Sequence, residues 1–467
     1  MFDALPTPGG LVRSGVAPDH GTVKNVENDF ETVASQQNVQ FFGNVNIGTR
    51  WLCEIASGKE ITIAELQKSY SAIILTYGAG EERPLGIPNE SSFSNVHAAK
   101  NFVNWYNGQP MFTKETFDLS CENAVIIGQG NVAIDVARIL MTPLKSLEQT
   151  DICEHALEVL RHSNIKRVFI VGRRGPAQAA FTIKELREIM KLEGVRVSLP
   201  AEVHVSLQCT QEFNAGMTPA SQAEIQDRSS KRRMELLVSH VSEDKQVYSA
   251  VARDVRSDGR SIELRFLLTP SEFVPDVTAK GVSAVRFTRT RLEGEPGHQR
   301  SVAAEPKEQV ELPAGIVFKS TGYQSVPVLS GVPFDHKLSV IPSTAGRVFV
   351  GSIVVQSNET AMGLYVCGWV KRGAKGVIAN NIDDAKETVS AIVADANSGA
   401  IPLRSDSTIN ASRSSLLTNP RLKGRVVTWE GWKKIDAHER AAGAAKGKPR
   451  EKLVHVEEMI RIANGNP

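Results

Sequence analysis

Residues 125–140 read VIIGQGNVAIDVARIL. Gly128, Gly130 and Ala133 stand at the spacing of a GxGxxG/A turn. In that turn the first glycine permits a tight bend, the second lets the backbone approach a pyrophosphate, and the small third residue lets a helix pack on a strand. The apolar run before the turn reads as a strand and Val132 to Leu140 as the following helix, whose free N–H groups and partial positive charge favour a phosphate. A match of this kind on its own is a weak signal. The next apolar run, Arg167-Val168-Phe169-Ile170-Val171, ends in Gly172-Arg173-Arg174-Gly175. A carboxylate at that place binds a ribose 2′-hydroxyl, whereas arginine binds a 2′-phosphate through charge-assisted, often bidentate hydrogen bonds. Two adjacent arginines and no carboxylate favour NADP(H), the alternative being a solvated basic turn. Arg173 comes 43 positions after Gly130, beyond the usual spacing of about 20. An insertion running from Thr142 to Asn164 lengthens the crossover.

A second glycine-rich turn is Gly368-Trp369-Val370-Lys371-Arg372-Gly373-Ala374-Lys375-Gly376-Val377-Ile378. An apolar strand runs into it, and a helix-like Asp383-Asp384-Ala385-Lys386-Glu387-Thr388 comes after it. Such a turn brings bare backbone N–H groups against a ligand, with Trp369 as a flat wall for an aromatic ring. A basic loop ahead of a helix, with Trp369 in the core, accounts for the same residues. The pattern alone leaves both readings open.

These turns need a frame. Ala124 to Ile127, Val132 to Leu140 and Arg167 to Val171 alternate strand, helix and strand, the signature of a parallel sheet with right-handed crossovers. Ile73-Ile74-Leu75-Thr76-Tyr77 reads as a buried strand entering a tight turn at Gly78-Ala79-Gly80. Residues 200–310 are polar and charge-mixed, and runs such as Ser261-Ile262-Glu263-Leu264-Arg265-Phe266 predict antiparallel strands in an exposed insertion. Apolar strands return at Gly315-Ile316-Val317-Phe318 and Leu364-Tyr365-Val366-Cys367, and the charged tail from Lys446 predicts a short terminal helix.

With 467 residues, 41% hydrophobic and 23% charged, the chain has room for two to three domains and a large core. A net charge of +2 argues against nucleic acid as a partner but leaves room for a local basic patch. Cys53, Cys121, Cys153, Cys209 and Cys367 form no CxxC pair. The expectation is free thiols in a reducing compartment and no metal site. No apolar stretch reaches the roughly 20 residues of a membrane span. The opening MFDALPTPGGLVRSGV has neither the apolar core of a secretory signal nor the Arg- and Ser-rich character of a mitochondrial presequence.

Six stretches in fixed order, LPTPGGLVRSGVAPDHGTVKNV, GQGNVAIDVARIL, VGRRGPAQAAFTIKELREI, STGYQSVPV, GWVKRGAKGVIANN and GKPREKLVHVEEMIRI, resemble the NADPH:adrenodoxin oxidoreductase family of mitochondrial ferredoxin–NADP reductases. The resemblance spans nearly the whole chain and is weakest over 205–310. It implies an α/β, two-domain, glutathione-reductase-like flavoprotein in which a Rossmann-type NADP domain (119–320) is inserted into an FAD domain built from both chain ends (1–118 and 321–467). The implied reaction is hydride transfer from NADPH to FAD, then single-electron transfers to a small acidic [2Fe–2S] ferredoxin. A flavin is needed because nicotinamide gives two electrons together and the cluster takes one. The family setting is the matrix side of the inner mitochondrial membrane, at most peripherally attached, serving steroid hydroxylation or iron–sulfur pathways.

Carried over motif by motif, the resemblance implies Gln129, Gly130, Asn131 and Val132 at the NADP pyrophosphate, Arg173 and Arg174 at the 2′-phosphate, and Glu185 as a further NADP contact. Trp369, Gly376, Val377 and Ile378 match contacts on the isoalloxazine side of FAD, Gly376 also lying near the nicotinamide. Asp3, Leu11 and Ile47 match FAD contacts near ribose, pyrophosphate and adenine. His20 and Asp135 match residues linked to the flavin region and domain coupling, for which positioning matters more than proton abstraction. Arg187, Lys231, Arg232 and Arg233 match a ferredoxin-docking face suited to electrostatic steering, against the alternative of a solvated face.

The sequence departs from the family at three places. Met1-Phe2-Asp3 falls where the second strand of the FAD unit ends, so the family's first strand, glycine loop and helix, and its presequence, are expected to be missing. Stretches near Trp51 to Lys59 and Gly351 to Thr360 read as insertions. Two further readings therefore stand beside a working reductase: a flavin-free NADP(H)- or ferredoxin-binding protein without turnover, and a flavin-linked subunit of the glutamate-synthase small-subunit type. The latter class carries N-terminal cysteine clusters, which this sequence lacks.

Overall fold

The computed structural model describes residues 1–48, 61–198, 209–238, 259–278, 280–349, 360–376, 379–401, 405, 407 and 422–465. Six strands form one parallel sheet in the order Val96–Ala98, Ile316–Lys319, Asn123–Ile127, Arg167–Val171, Arg260–Arg265, Val195–Ser198. Because side chains alternate along a strand, the apolar runs split between two cores. Ala124, Ile126, Val168 and Ile170 face the helices, packing with Ile134, Ala137 and Leu186. Val125, Ile127, Phe169 and Val171 face the other way, against Leu268, Phe273, Val285 and Phe287 of an antiparallel sheet. That second sheet comprises Leu268–Pro275, Val282–Glu293, Arg300–Ala303 and Gln309–Pro313. Both faces of the parallel sheet are covered, as continuous apolar strands require.

The stretch Ser261 to Phe266 departs from expectation. It is not part of an exposed antiparallel insertion but an inner strand of the parallel sheet, paired with Arg167–Val171 and Val195–Ser198. Its polar alternation misleads because Arg265 is neutralised inside the protein by Glu212, at 2.8 and 3.2 Å, rather than by water. The antiparallel strands lie further on, in the charge-mixed stretch.

The second unit draws on both ends of the chain. Ile73–Leu75 pairs in parallel with Thr360–Val366, which continues to Arg347–Phe349 and Ser343–Thr344. Phe42–Gly43 pairs with Val427–Thr428, and Phe2 bridges Phe42. Two short antiparallel strands, Glu81–Glu82 and Tyr323–Gln324, stand where the chain leaves this unit and returns to it. Val96–Ala98 joins the six-stranded sheet, and the Ala99–Tyr106 helix packs into its core. A three-residue strand within 1–118 thus pairs in the six-stranded sheet. The stretches 51–59 and 351–359 lie outside the described residues.

Buried charges join the two ends. Glu439 is 0% exposed and accepts from Arg13 (2.6 and 3.0 Å), Arg450 (3.0 Å) and the Leu453 N–H (2.9 Å). The Arg13 guanidinium also lies 5.1 Å from the centre of the Trp432 ring, a cation–π contact. Asp151, in the lengthened crossover, accepts from Lys24 at 2.6 and 2.7 Å and lies 3.1 Å from Lys452. The insertion from Thr142 to Asn164 thus supplies a carboxylate that anchors a lysine from each end of the chain.

Burial alone would raise the Asp151 pKa, but the charges of Lys452 and Lys24 overcome it and hold the carboxyl down at about 2, from 3.8. A depressed carboxyl contributes stability that is present above its unfolded pKa and lost as pH falls through the folded one. Asp151→Asn is expected to lose about 2 kcal/mol of stability at pH 7. The gap from wild type should close between about pH 4 and pH 2. Urea unfolding at several pH values measures this, and a gap that stays constant with pH would refute it.

Candidate functional site

The glycine loop joins the Asn123–Ile127 strand to the Asn131–Met141 helix. Its two glycines serve different ends. Gly128 has φ +132°, and a Cβ there would fall on the Ser320 carbonyl at the end of the neighbouring strand. The fold itself demands glycine there. Gly130 has φ −97° and ψ 178°, which any residue adopts, and a Cβ there would meet nothing within 4 Å. The open space over Gly130, beside the Asn131 and Val132 N–H groups that have no preceding helical turn to bond, fits a phosphate group.

The side chains of this loop hold the scaffold. Gln129 Nε2 donates to the Arg265 carbonyl at 2.7 Å, and the Gln129 carbonyl accepts from the Ala180 N–H at 2.9 Å. Asn131 Oδ1 accepts from the Thr182 N–H at 2.8 Å, fixing the start of the Ile183–Met190 helix. On that helix Glu185 is half-buried, with an Oε2 that has no partner among the described residues. Arg173 and Arg174 are exposed and form no ion pair among the described residues. The Arg174 pKa is lowered, first by burial and then by the charge of Arg173. The charge of Glu224 opposes both effects, and two neighbouring guanidiniums without an ion pair among the described residues fit a dianion.

At the second turn, Trp369 begins a one-turn helix, Trp369–Arg372, and stacks on Tyr323 with ring centres 5.8 Å apart. Its Nε1 is buried without a partner among the described residues. Lys371 is held by Asp384 at 2.9 Å and Glu387 at 2.5 Å, and Asp384 also accepts from the Gly368 N–H. A flat aromatic wall with an unsatisfied donor fits an isoalloxazine ring system. Gly376 closes this turn, while Val377 and Ile378 lie outside the described residues. Asp3 accepts from the Leu5 N–H at 2.9 Å, and burial, only partly opposed by that bond, raises its pKa to about 6. Ile47 bridges Ile61, and Leu11 is exposed on the Gly10–Ser14 helix. The Asp3 carbonyl accepts from the Val45 N–H at 2.9 Å, two residues before Ile47.

His20 and Asp135 meet in a cluster that spans the two units. His20 Nε2 lies 2.6 Å from Glu188 Oε2 and 2.7 Å from Arg138 Nη1. Arg138 also contacts Glu188, bonds Asp135 at 2.8 Å and approaches Asp19 at 2.8 Å. Burial raises the Asp135 pKa to about 6, opposed by Arg138 and His20. The same carboxylate acts on the Tyr323 phenol, whose pKa is raised first by burial and then by Asp135. The Tyr323 phenol therefore lies within reach of the Asp135 charge.

Sequence reasoning missed Arg138, Glu188 and Tyr323. One signal was available: Val136-Ala137-Arg138-Ile139 places a charge on an otherwise apolar helix face. On the proposed docking face Arg187, Lys231 and Arg232 are exposed. Arg233 instead turns inward and donates to the Ala177 and Phe181 carbonyls at 3.0 and 3.4 Å, which ties down the 228–238 helix.

A glycine loop at the carboxyl end of a parallel sheet, an arginine pair on the next strand and an aromatic turn from a second unit define a class: two-domain oxidoreductases of the FAD- and NADP-dependent type. The NADPH:adrenodoxin oxidoreductase of Homo sapiens is 42% identical over 462 residues, covering 99% of this chain and 86% of that protein. The one from Arabidopsis thaliana is 39% identical over 465 residues, 99% of this chain and 89% of that protein. The solved structure of Mycobacterium tuberculosis FprA in complex with NADPH superposes with a TM-score of 0.82 at 37% identity, covering 100% of this chain and 92% of that one. No protein-family model matches the chain. The chain belongs to the NADPH:adrenodoxin oxidoreductase family.

The two glycines give opposite expectations. Gly130→Ala should leave urea stability within about 0.5 kcal/mol of wild type while weakening NADP⁺ binding. Gly128→Ala should destabilise the fold, because the added methyl meets backbone in a left-handed conformation. Equal stability losses in the two variants would refute the assignment.

Proposed function

We propose that the chain carries electrons from NADPH through FAD to a [2Fe–2S] ferredoxin of the adrenodoxin kind. The observation that carries this reading is the open space over Gly130 at a helix N-terminus, with two exposed arginines on the turn after the next strand. A separate aromatic turn, the Trp369–Tyr323 stack, offers a wall for the flavin. The names of the relatives support the substrates: NADPH:adrenodoxin oxidoreductases, and in Mycobacterium tuberculosis an NADPH-ferredoxin reductase.

In this reading the N–H groups at Gly130, Asn131 and Val132 hold the pyrophosphate, and Gln129 keeps that loop in place. Arg173 and Arg174 clamp the 2′-phosphate, and Glu185 contributes the carboxylate left without a partner. Trp369 and Gly376, with Val377 and Ile378, hold the isoalloxazine, while Asp3, Leu11 and Ile47 hold the adenosine side. When bound, the flavin supplies the conversion of a two-electron hydride into single electrons. His20 and Asp135, through Arg138 and Glu188, fix one unit against the other so that nicotinamide and flavin meet at reacting distance, where positioning supplies the rate.

Arg187, Lys231 and Arg232 present the basic face to the acidic partner. Among the described residues no helix is long and apolar enough to cross a membrane. The proposed setting is the mitochondrial matrix, peripherally at the inner membrane, in steroid or iron–sulfur pathways. The mitochondrial names of the eukaryotic relatives support it.

The direct test is the visible spectrum after FAD reconstitution and desalting, followed by anaerobic NADPH. Retained flavin that bleaches is expected, and colourless protein that still binds NADPH would favour the flavin-free alternative. Replacing Arg173 and Arg174 with glutamine should weaken NADPH by more than about tenfold, since each charge-assisted bond is worth about 1.5–3 kcal/mol, with NADH little changed. Equal weakening of the two would count against the clamp.

Docking separates from flavin chemistry. Arg187→Glu with Arg232→Glu should raise the KM for ferredoxin and leave NADPH-driven dye reduction unchanged. A parallel loss of both activities would overturn the docking face.

A further inference from the structure

The backbone of the arginine turn is pinned at every carbonyl. The Gly172 N–H donates to the Arg265 carbonyl at 2.9 Å, and the Gly172 carbonyl accepts from the Leu268 N–H at 3.0 Å. The Arg173 carbonyl accepts from Thr290 Oγ1 at 2.8 Å. The Arg174 carbonyl accepts from the Leu267 N–H at 3.2 Å, and the Leu267 carbonyl in turn accepts from the Thr290 N–H at 2.7 Å. Three consecutive carbonyls are thus seated on two short segments, Leu267-Leu268 and Thr290. Both belong to the charge-mixed stretch 200–310.

Leu267 is strained in this position. It has φ +55° and is only 2% exposed, and a bulky residue in the left-handed region is strained. The surroundings enforce it. Glu212, itself 4% exposed, bonds Arg265 on one side, Arg289 at 3.2 Å on the other and the Phe266 N–H at 3.1 Å between them. One carboxylate therefore grips both strands that carry the seat. Thr290 is 5% exposed, so its hydroxyl is committed to the Arg173 carbonyl and does not reach a ligand in solvent.

We infer that Thr290 and Leu267 are positioning residues for nucleotide selectivity: they fix the Arg173-Arg174 backbone so that both guanidiniums converge on one 2′-phosphate. The inference rests on the proposed reading of those arginines as the 2′-phosphate clamp. The physical reason is the mutual repulsion of two adjacent guanidiniums on exposed side chains, which the charge of Glu224 near Arg174 opposes. Left on a mobile turn they splay apart, and the ordering needed for binding then lowers affinity for the 2′-phosphate alone. The pyrophosphate end of the nucleotide meets the Gly130 loop, which Gln129 and Asn131 hold without Thr290. Loosening the arginine turn should therefore reduce selectivity rather than binding in general.

Thr290→Val removes the hydroxyl and keeps the shape and the backbone bond to Leu267. The probes are adenosine 2′,5′-bisphosphate and adenosine 5′-monophosphate, titrated calorimetrically into the full chain. Thr290→Val is expected to weaken the bisphosphate about three- to tenfold, the worth of one hydrogen bond, and to leave the monophosphate unchanged. Thr290→Ser should restore the wild-type ratio. Equal weakening of both probes, an unchanged bisphosphate affinity, or failure of serine to rescue would overturn the inference. Arg173→Gln with Arg174→Gln separates the two ideas. Loss of preference for the bisphosphate supports the clamp, whereas a preference that survives overturns the clamp itself, whatever Thr290→Val does.

Discussion

One carbonyl, that of Arg265, holds the nucleotide end of the sheet together. It accepts the Gln129 side-chain amide at 2.7 Å and the Gly172 N–H at 2.9 Å, joining the glycine loop and the arginine turn at the end of a third strand. Its position depends on the buried Arg265–Glu212 pair, which occupies a place where a free charge would be costly. Parallel strands end together at one edge, and the loop leaving each strand must find partners there because its backbone groups are half-buried. Here the partners are one another, so the loops are set by the sheet and not by a ligand.

The same logic explains how two units built from interrupted segments behave as one molecule. Glu439 takes hydrogen bonds from Arg13, Arg450 and Leu453, while Asp151 takes Lys24 and approaches Lys452. A buried ion pair is weak evidence of net stability, yet removing one partner is strongly destabilising. Its use here is geometric. Residues about 426 positions apart, Arg13 and Glu439, are held in one register, and the crossover carrying Asp151 is fixed to both ends. The arrangement of units that brings His20 against Glu188 and Arg138 depends on those contacts.

How much of this was legible depends on range. The glycine loop, its strand and helix, and the arginine turn were readable because local spacing encodes them: an apolar run in Asn123–Ile127, and glycines at fixed offsets. Ser261 to Phe266 was misread because its charged residues looked solvated, and only the fold shows Glu212 beside Arg265. Gly128 and Gly130 look alike in sequence. One is required by the Ser320 carbonyl next to it, the other has no neighbour, and that distinction is three-dimensional. Arg233 sat in a basic run with Lys231 and Arg232, but helix geometry sends neighbouring residues to different faces, and it caps Ala177 and Phe181 instead. The pairing of Val96–Ala98 was not legible, because three residues are too few to show a period.

The distribution of charge, rather than its total, ties fold to function. A net +2 on 467 residues says little. In the unit made from the chain ends, Arg13, Arg450 and Lys452 are buried against carboxylates, and the half-buried Lys24 is paired with Asp151. In the inserted unit, Arg173, Arg174, Arg187, Lys231 and Arg232 have no ion pair among the described residues and lie exposed. A cation neutralised in the interior serves structure, and one left unpaired on a fixed backbone keeps its charge for an anion. The pinned carbonyls of Gly172, Arg173 and Arg174 show that the unpaired charges are as firmly placed at their base as the buried ones.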